Sequence, residues 1–199
     1  MAESVQAGDV VWDIGANVGH YTLKFLEWAG PNGQVVAFEP SGPACQKLLA
    51  NIRAHPAGGR CVVHQVALSD FCGESSLTDT NGTLGISTTA HLADRRTGLD
   101  LRGAAYVRVM TADAMIADKA MRPPTVTKID VEGYEEEVCA GGMATFSRPE
   151  SRHIFAEMHF RRLEERGQAN APSRMVSQLR EWEYSVSWVD PSHLHACRR

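Results

Sequence analysis

One stretch, Val10 to Pro40, constrains the fold of this chain more than any other. Val10-Val11-Trp12-Asp13-Ile14 reads as an apolar strand. Gly15-Ala16-Asn17-Val18-Gly19 follows as a glycine turn. A helical stretch runs to about Ala29, and Gly30-Pro31-Asn32-Gly33 stops it. Gln34 to Phe38 reads as a second strand, and Glu39-Pro40 ends it. Strand, glycine turn, helix, strand and terminal acid form the layout of a Rossmann-type nucleotide-cofactor site. The turn lets backbone come close to a ligand. The acid, about 20 residues further on, is placed for ribose hydroxyls.

The spacing of the turn narrows the cofactor. A dinucleotide site uses G-x-G-x-x-G. Here Asn17 stands where the second glycine belongs, and Asp13 stands two residues before the first. Asn tolerates left-handed backbone angles, so the tight turn survives. A pyrophosphate disfavours Asp13 beside it, whereas a ligand with an ammonium or sulfonium group favours it. The pattern therefore points to S-adenosylmethionine rather than NAD.

The remaining composition excludes several classes. A chain of 199 residues is long enough for one α/β domain, expected over 1–199. The net charge of −4, with no long basic run, argues against a nucleic-acid partner. The five cysteines are scattered without C-x-x-C spacing, so reduced thiols are expected rather than zinc or disulfides. Met1 to Asp9 is polar and no apolar run spans a membrane, so the expected location is cytoplasmic, without a membrane partner.

Strands and helices alternate along the chain. A helix from Ser41 or Gly42 carries Leu48, Leu49 and Ile52. A third strand is expected over Cys61 to Ala67. The polar excursion Gly73 to Arg102 predicts short strands near Ser75–Asp79 and Gly85–Thr89. Tyr106 to Met110 predicts a strand, and Thr111 to Ala117 a short helix. A fourth strand is expected over Thr125 to Val131, a helix from Tyr134, and a fifth strand over His153 to Met158. Arg161 to Gly167 reads as a charged loop or half helix. A helix over Ser173 to Trp182 and two late strands, Tyr184 to Val189 and His193 to Cys197, complete the chain. The order predicts a doubly wound, mostly parallel sheet with helices on both faces and an antiparallel C-terminal hairpin.

Five segments together resemble the FkbM family of S-adenosylmethionine-dependent methyltransferases. They are Trp12 to Gly19, Phe38-Glu39-Pro40, Val66 to Asp70, Lys128-Ile129-Asp130-Val131-Glu132-Gly133-Tyr134-Glu135, and Ala156 to His159. The Lys128 to Glu135 block is the most specific. The resemblance implies a Rossmann-like class I methyltransferase fold and O-methylation of a hydroxyl on a sugar, polyketide or other secondary metabolite. Similar proteins usually carry a longer segment before the first strand. The short one here makes the acceptor less transferable than the cofactor and leaves a homodimer open as a partner.

Site residues follow from position. Gly15, Ala16 and Asn17 are expected to present backbone amides to the methionine end, with Gly19 closing the turn and Asp13 orienting that end directly or through water. Glu39, next to Pro40, has two acceptor oxygens suited to the ribose diol. Ala67 and Leu68 are placed to read the adenine edge with their backbone. The 73–105 insertion is expected to form part of the acceptor wall. Lys128, Asp130 and Glu132 alternate, so an extended strand would turn them to one side. An apolar parallel strand carries three charges only with a reason, and Lys128 should be paired. Asp130 is the first choice for an active-site acid. His159 is placed to serve as a general base near neutral pH, sharing a side with Glu157, which would fix its tautomer or bind the substrate or the methionine ammonium. No metal is required, although Asp130, Glu157 and His159 would suit a divalent ion. His20, His193 and His195 read as surface or edge residues. An NAD-dependent oxidoreductase and a non-catalytic S-adenosylmethionine-binding protein are the rival readings.

Overall fold

The computed structural model describes residues 1–78, 91–92, 105–117 and 121–198. In chain order the first elements are β1 (Val10–Ile14), α1 (His20–Trp28), β2 (Gln34–Phe38), α2 (Gly42–Ala54) and β3 (Cys61–His64). Then come β4 (Ala67–Leu68), β5 (Gly73–Thr78), β6 (His91–Leu92), β7 (Ala105–Met110) and α3 (Ala112–Ala117). The second half holds β8 (Val126–Ile129), α4 (Glu135–Ala140), α5 (Met143–Phe146), β9 (His153–Glu157) and α6 (Phe160–Glu165). α7 (Ala171–Glu181), β10 (Ser185–Trp188) and β11 (His193–Cys197) end the chain.

All five residues of β1 are buried, as a strand with parallel partners on both edges and helices on both faces requires. Its alternation sorts them between two layers. Val10, Trp12 and Ile14 join the cluster that holds Val138 of α4, Phe146 of α5 and Met175 and Leu179 of α7. Val11 packs with Phe25 and Leu26 of α1. Trp12 anchors its layer, with ring centroids 5.0 Å from Phe38 and 6.3 Å from Phe146. Full burial of an apolar side chain of this size contributes roughly 1.5–3 kcal/mol.

The main sheet has the order β10-β11-β9-β8-β1-β2-β3. Neighbours from β3 to β9 run parallel; β11 is antiparallel to both β9 and β10. The C-terminal hairpin therefore enters with its second strand innermost. Strand order reverses at the β1/β8 boundary, the switch point at which ligands of such sheets bind beyond the carboxyl ends. A second sheet, β4-β7-β5-β6, stands apart. Among the described residues, no helix is long and apolar enough to cross a membrane.

Two expectations need correction. The third strand stops at His64; Ala67 and Leu68 form β4, paired with Val109 and Met110 in the second sheet. The fourth strand stops at Ile129, because Glu132 (φ 57°) and Gly133 (φ 95°) take left-handed angles that end any extended run. Of the two readings of Arg161 to Gly167, the structure has the helical one, as α6. The strand expected over Gly85–Thr89 lies outside the described residues.

Candidate active site

The glycine turn is held tightly from below. Gly15 and Ala16 both donate their N–H to the Phe38 carbonyl at 3.0 Å, and the Asn17 N–H donates to Glu39 Oε2 at 2.7 Å. The three amides expected to face a ligand are thus spent on β2 and its terminal acid. Its carbonyls are engaged as well: Gly15 accepts from Lys128, Ala16 from the Gly19 N–H and Val18 from Asn51. Gly15 (φ 79°) is required by a close approach: a Cβ there would lie 1.8 Å from the Asp130 carbonyl oxygen. Gly19 (φ 95°) caps α1 and makes room for Leu48 of α2, whose Cδ1 would meet a Cβ at 2.6 Å.

Glu39 ends β2 as expected, 7% exposed. Its two oxygens accept from the Asn17 and Ser41 N–H groups, and each keeps a second lone pair for a hydroxyl. Burial raises its carboxyl above the usual range, against the pull of those two bonds. Pro40 is half-buried beside it.

Asp13 sits below the turn. It is fully buried, turned to the α1 layer, where Oδ2 accepts from Thr22 Oγ1 at 2.6 Å. Register sets Lys128 of β8 directly beside it. The Lys128 ammonium lies 3.4 Å from Asp13 Oδ1, 3.2 Å from Asp130 Oδ2 and 3.4 Å from the Gly15 carbonyl, with the Tyr21 ring 5.2 Å away. Burial works to lower its pKa, but the two carboxylates outweigh that and raise it. Lys128 is a buried cation tying the glycine turn to the end of β8.

The segment after β8 builds the reactive corner. The Asp130 N–H still pairs with the Ile14 carbonyl at 3.0 Å. The left-handed turn then carries Glu132 away from Lys128 and over to His159, so the three charged residues do not share one side. α6 clamps this turn. Arg166 donates to the Gly133 carbonyl, and its guanidinium lies 3.5 Å from the Tyr134 ring centroid. His159 caps α6. Its Nδ1 meets Glu135 Oε1 at 2.9 Å, while Nε2 faces Asp130 Oδ1 and Glu132 Oε2, each at 3.6 Å. Arg162 Nε lies 3.9 Å from the same Glu132 oxygen.

These surroundings push His159 up to about 9. Burial opposes the charge, but the Glu135 bond and the charges of Glu135, Glu132 and Asp130 outweigh it. The surrounding acids thus favour the charged form of the imidazole in this arrangement. Glu157, expected to orient His159, instead lies 3.4 Å from His193 Nε2. It lines a cavity of about 300 Å³ together with Tyr21, Lys128, Phe155, Asp190 and His193. Ala67 and Leu68 are buried in the β4 ladder rather than at the end of β3.

Sequence reasoning passed over Glu135. It opens the acidic run Glu135-Glu136-Glu137, which reads as a solvated first helical turn, yet it is fully buried and receives both the Gly133 N–H and His159. Its place at the end of the Lys128 to Glu135 block was the available signal. Thr22 and Arg162 carried none.

The methyltransferase FkbM domain matches residues 13–186. The 31-O-demethyl-FK506 methyltransferase FkbM of Streptomyces tacrolimicus is 30% identical over 184 residues, covering 78% of this chain and 67% of that protein. The hexuronic acid methyltransferase AglP of Haloferax volcanii is 27% identical over 145 residues, covering 71% of this chain and 53% of that protein. The chain thus spans between half and two thirds of the length of these relatives. The crystal structure of methyltransferase FkbM from Methylobacillus flagellatus KT superposes with a TM-score of 0.63 at 14% identity, covering 96% of this chain and 44% of that one, a likeness of fold. With the glycine turn, its clamp on Glu39 and the charged block after β8 all inside the matched region, the chain belongs to the FkbM methyltransferase family.

Proposed function

We propose that this chain transfers the methyl group of S-adenosylmethionine to a hydroxyl of a sugar or polyketide. The observation that carries the reading is the meeting of two sites at the β1/β8 switch. The Gly15 turn rests against the Asp130 backbone, so a cofactor on Glu39 and the turn would end at the Asp130–Glu132–His159 corner. The buried Asp13–Lys128–Asp130 array holds these two parts in register. Glu39 would take the ribose hydroxyls. The carboxylates of Asp130 and Glu132 would suit the ammonium and sulfonium of the methionine end.

The chemistry asks little of the protein beyond alignment and removal of a proton. The acceptor oxygen forms its bond to the methyl carbon as the carbon–sulfur bond breaks, leaving the electron pair on sulfur. The hydroxyl proton passes to the polar corner and on to water. The cavity lined by Tyr21, Lys128 and Glu157 would seat an acceptor. The names of the two relatives, a hexuronic acid methyltransferase and a 31-O-demethyl-FK506 methyltransferase, support an oxygen acceptor of this kind.

Calorimetric titration with S-adenosylhomocysteine, with NAD in parallel, tests the cofactor. Binding of the former alone is expected; binding of NAD alone would sink the reading. Labelled methyl donor with a panel of glycans and polyketides then tests the acceptor. Complete silence with tight S-adenosylhomocysteine binding would favour a non-catalytic binding protein. Asp130→Asn is expected to lower turnover by about 100-fold or more with cofactor affinity nearly intact.

A further inference from the structure

We propose that Asp130, Glu132 and His159 form a binding site for one divalent cation of the Mg2+ or Mn2+ class. Each residue offers one ligand atom, and the three atoms lie within 4.8 Å of one another. Two are carboxylate oxygens and the third an imidazole nitrogen, a mainly hard donor set that suits Mn2+ and Mg2+ above softer ions.

The geometry fits a cation better than it fits the side chains alone. The distances from His159 Nε2 to the two oxygens are both 3.6 Å, too long for hydrogen bonds. The three atoms face one another across a gap that they do not close. Around a cation with bonds of about 2.1 Å, ligand atoms stand about 3.0 Å apart at right angles and about 3.4 Å apart in a tetrahedron. Closure by a few tenths of an ångström from the His159 side, with a somewhat larger movement between the carboxylates, brings the donors into range.

The support behind the donors is of the kind a metal-binding histidine uses. A ligating imidazole gives its other N–H to a carboxylate, which fixes the ring and leaves one nitrogen for the metal. Here Glu135, fully buried, takes Nδ1 at 2.9 Å, so Nε2 is the nitrogen turned to Asp130 and Glu132. The second oxygen, Glu135 Oε2, is buried with no hydrogen-bond partner among the described residues. This is an uncompensated acceptor directly behind the corner, and a nearby cation offsets its cost. Glu135 is a positioning residue, not a ligand. The trio also corrects the donor set read from sequence, in which Glu157 stood in place of Glu132; Glu157 is held at His193.

Three ligands leave open positions on such an ion. An acceptor hydroxyl taking one of them would be made more acidic by the cation. That role rests on the methyl-transfer reading; cation binding itself does not. The balance of the reaction is unchanged, since the hydroxyl proton still leaves to water.

The test is titration of the full chain, first stripped of metal with a chelator, with MnCl2. Free Mn2+ is followed by electron paramagnetic resonance. One Mn2+ per chain is expected, with broadening of the His159 ring signals in the NMR spectrum. Asp130→Asn and Glu132→Gln should each weaken binding at least tenfold, and Glu135→Gln by about 10- to 100-fold, with melting temperatures checked on the same samples. No saturable binding by the unaltered chain would overturn the proposal, as would equal binding in Asp130→Asn and Glu132→Gln. S-adenosylhomocysteine titrated into the same samples separates the two ideas. Cofactor binding without Mn2+ binding removes the cation site alone; Mn2+ binding without cofactor binding keeps the site and removes the methyl-transfer reading.

Discussion

Two acids flank opposite ends of β1, and they are treated very differently. Asp9, just before the strand, is closed off. Arg152 Nη2 reaches both its oxygens at 2.6 Å, Thr125 Oγ1 donates to it at 2.8 Å and the Gln6 N–H at 2.7 Å. Asp130, beyond the carboxyl end, receives the Lys128 ammonium at 3.2 Å and faces His159 across 3.6 Å without a hydrogen bond. Among the described residues, Glu132 is held by long contacts of 3.6 Å to His159 and 3.9 Å to Arg162. An acid whose lone pairs are filled by the chain stabilises the fold. One left with open lone pairs at a switch point keeps them for a ligand. The difference separates structure from function more reliably than burial does, since Asp13 and Glu135 are both fully buried and serve the site indirectly.

The largest effect should come where the two halves of the site touch. Gly15→Ala puts a methyl group 1.8 Å from the Asp130 carbonyl oxygen at a φ of 79°. Either the turn or the end of β8 must move. S-adenosylhomocysteine affinity is expected to fall by more than about 100-fold, at a stability cost of about 1–3 kcal/mol. Calorimetry and thermal unfolding check both, and near-normal affinity would show that the turn does not carry the cofactor.

The contrast between the acids themselves is tested next. Asp9→Asn leaves Arg152 facing a neutral amide and should cost about 1–3 kcal/mol, with cofactor affinity unchanged. Melting temperature and S-adenosylhomocysteine titration measure the two sides. Glu132→Gln should do the opposite: stability unchanged or slightly raised, turnover lowered. A Glu132→Gln chain that melts well below the parent would mean that Glu132 is structural and that the comparison fails.

How much of this was legible in the sequence depended on period and on punctuation. The Val10 to Glu39 unit was readable because its apolar runs are bounded by glycines, and Asp13, Gly15 and Glu39 fell where expected. The end of β8 was not, because Asp130-Val131-Glu132 continues the strand's alternation and only the left-handed angle of Glu132 breaks it. β4 was hidden for a related reason. Gln65 and Val66 interrupt nothing in the pattern, yet the chain leaves one sheet there and enters another. The ion pairing of Lys128 was foreseeable from a lysine in an apolar strand, but its two partners follow from register, which no local pattern contains. Glu135 looked like one of three solvated glutamates; only packing against His159 tells it from its neighbours.

The smallest effect belongs to the closed end of the sheet. His153 and His195 meet there, Nδ1 to Nε2 at 3.1 Å, and His195 stacks on Phe155 with centroids 4.2 Å apart. Burial lowers the pKa of both. For His153, His195 and Arg152 add to the shift and Asp9 opposes it; for His195 the chain's amino group adds to it. A folded histidine with a lowered pKa binds fewer protons than its unfolded counterpart, so stability rises with pH across the interval between the two values. On acidification the loss begins near the ordinary histidine value of about 6.5 and is complete below the lowered one. Between pH 7.5 and 5 the melting temperature should fall by about 2 °C from this pair, and His153→Asn should reduce that fall. The corner at the other end of the sheet shows the opposite shift, since its acids favour a charged His159. Protonation is thus resisted where the fold is closed and welcomed where positive charge is wanted. An acid-induced loss of stability that His153→Asn leaves untouched would place its origin elsewhere and break that symmetry.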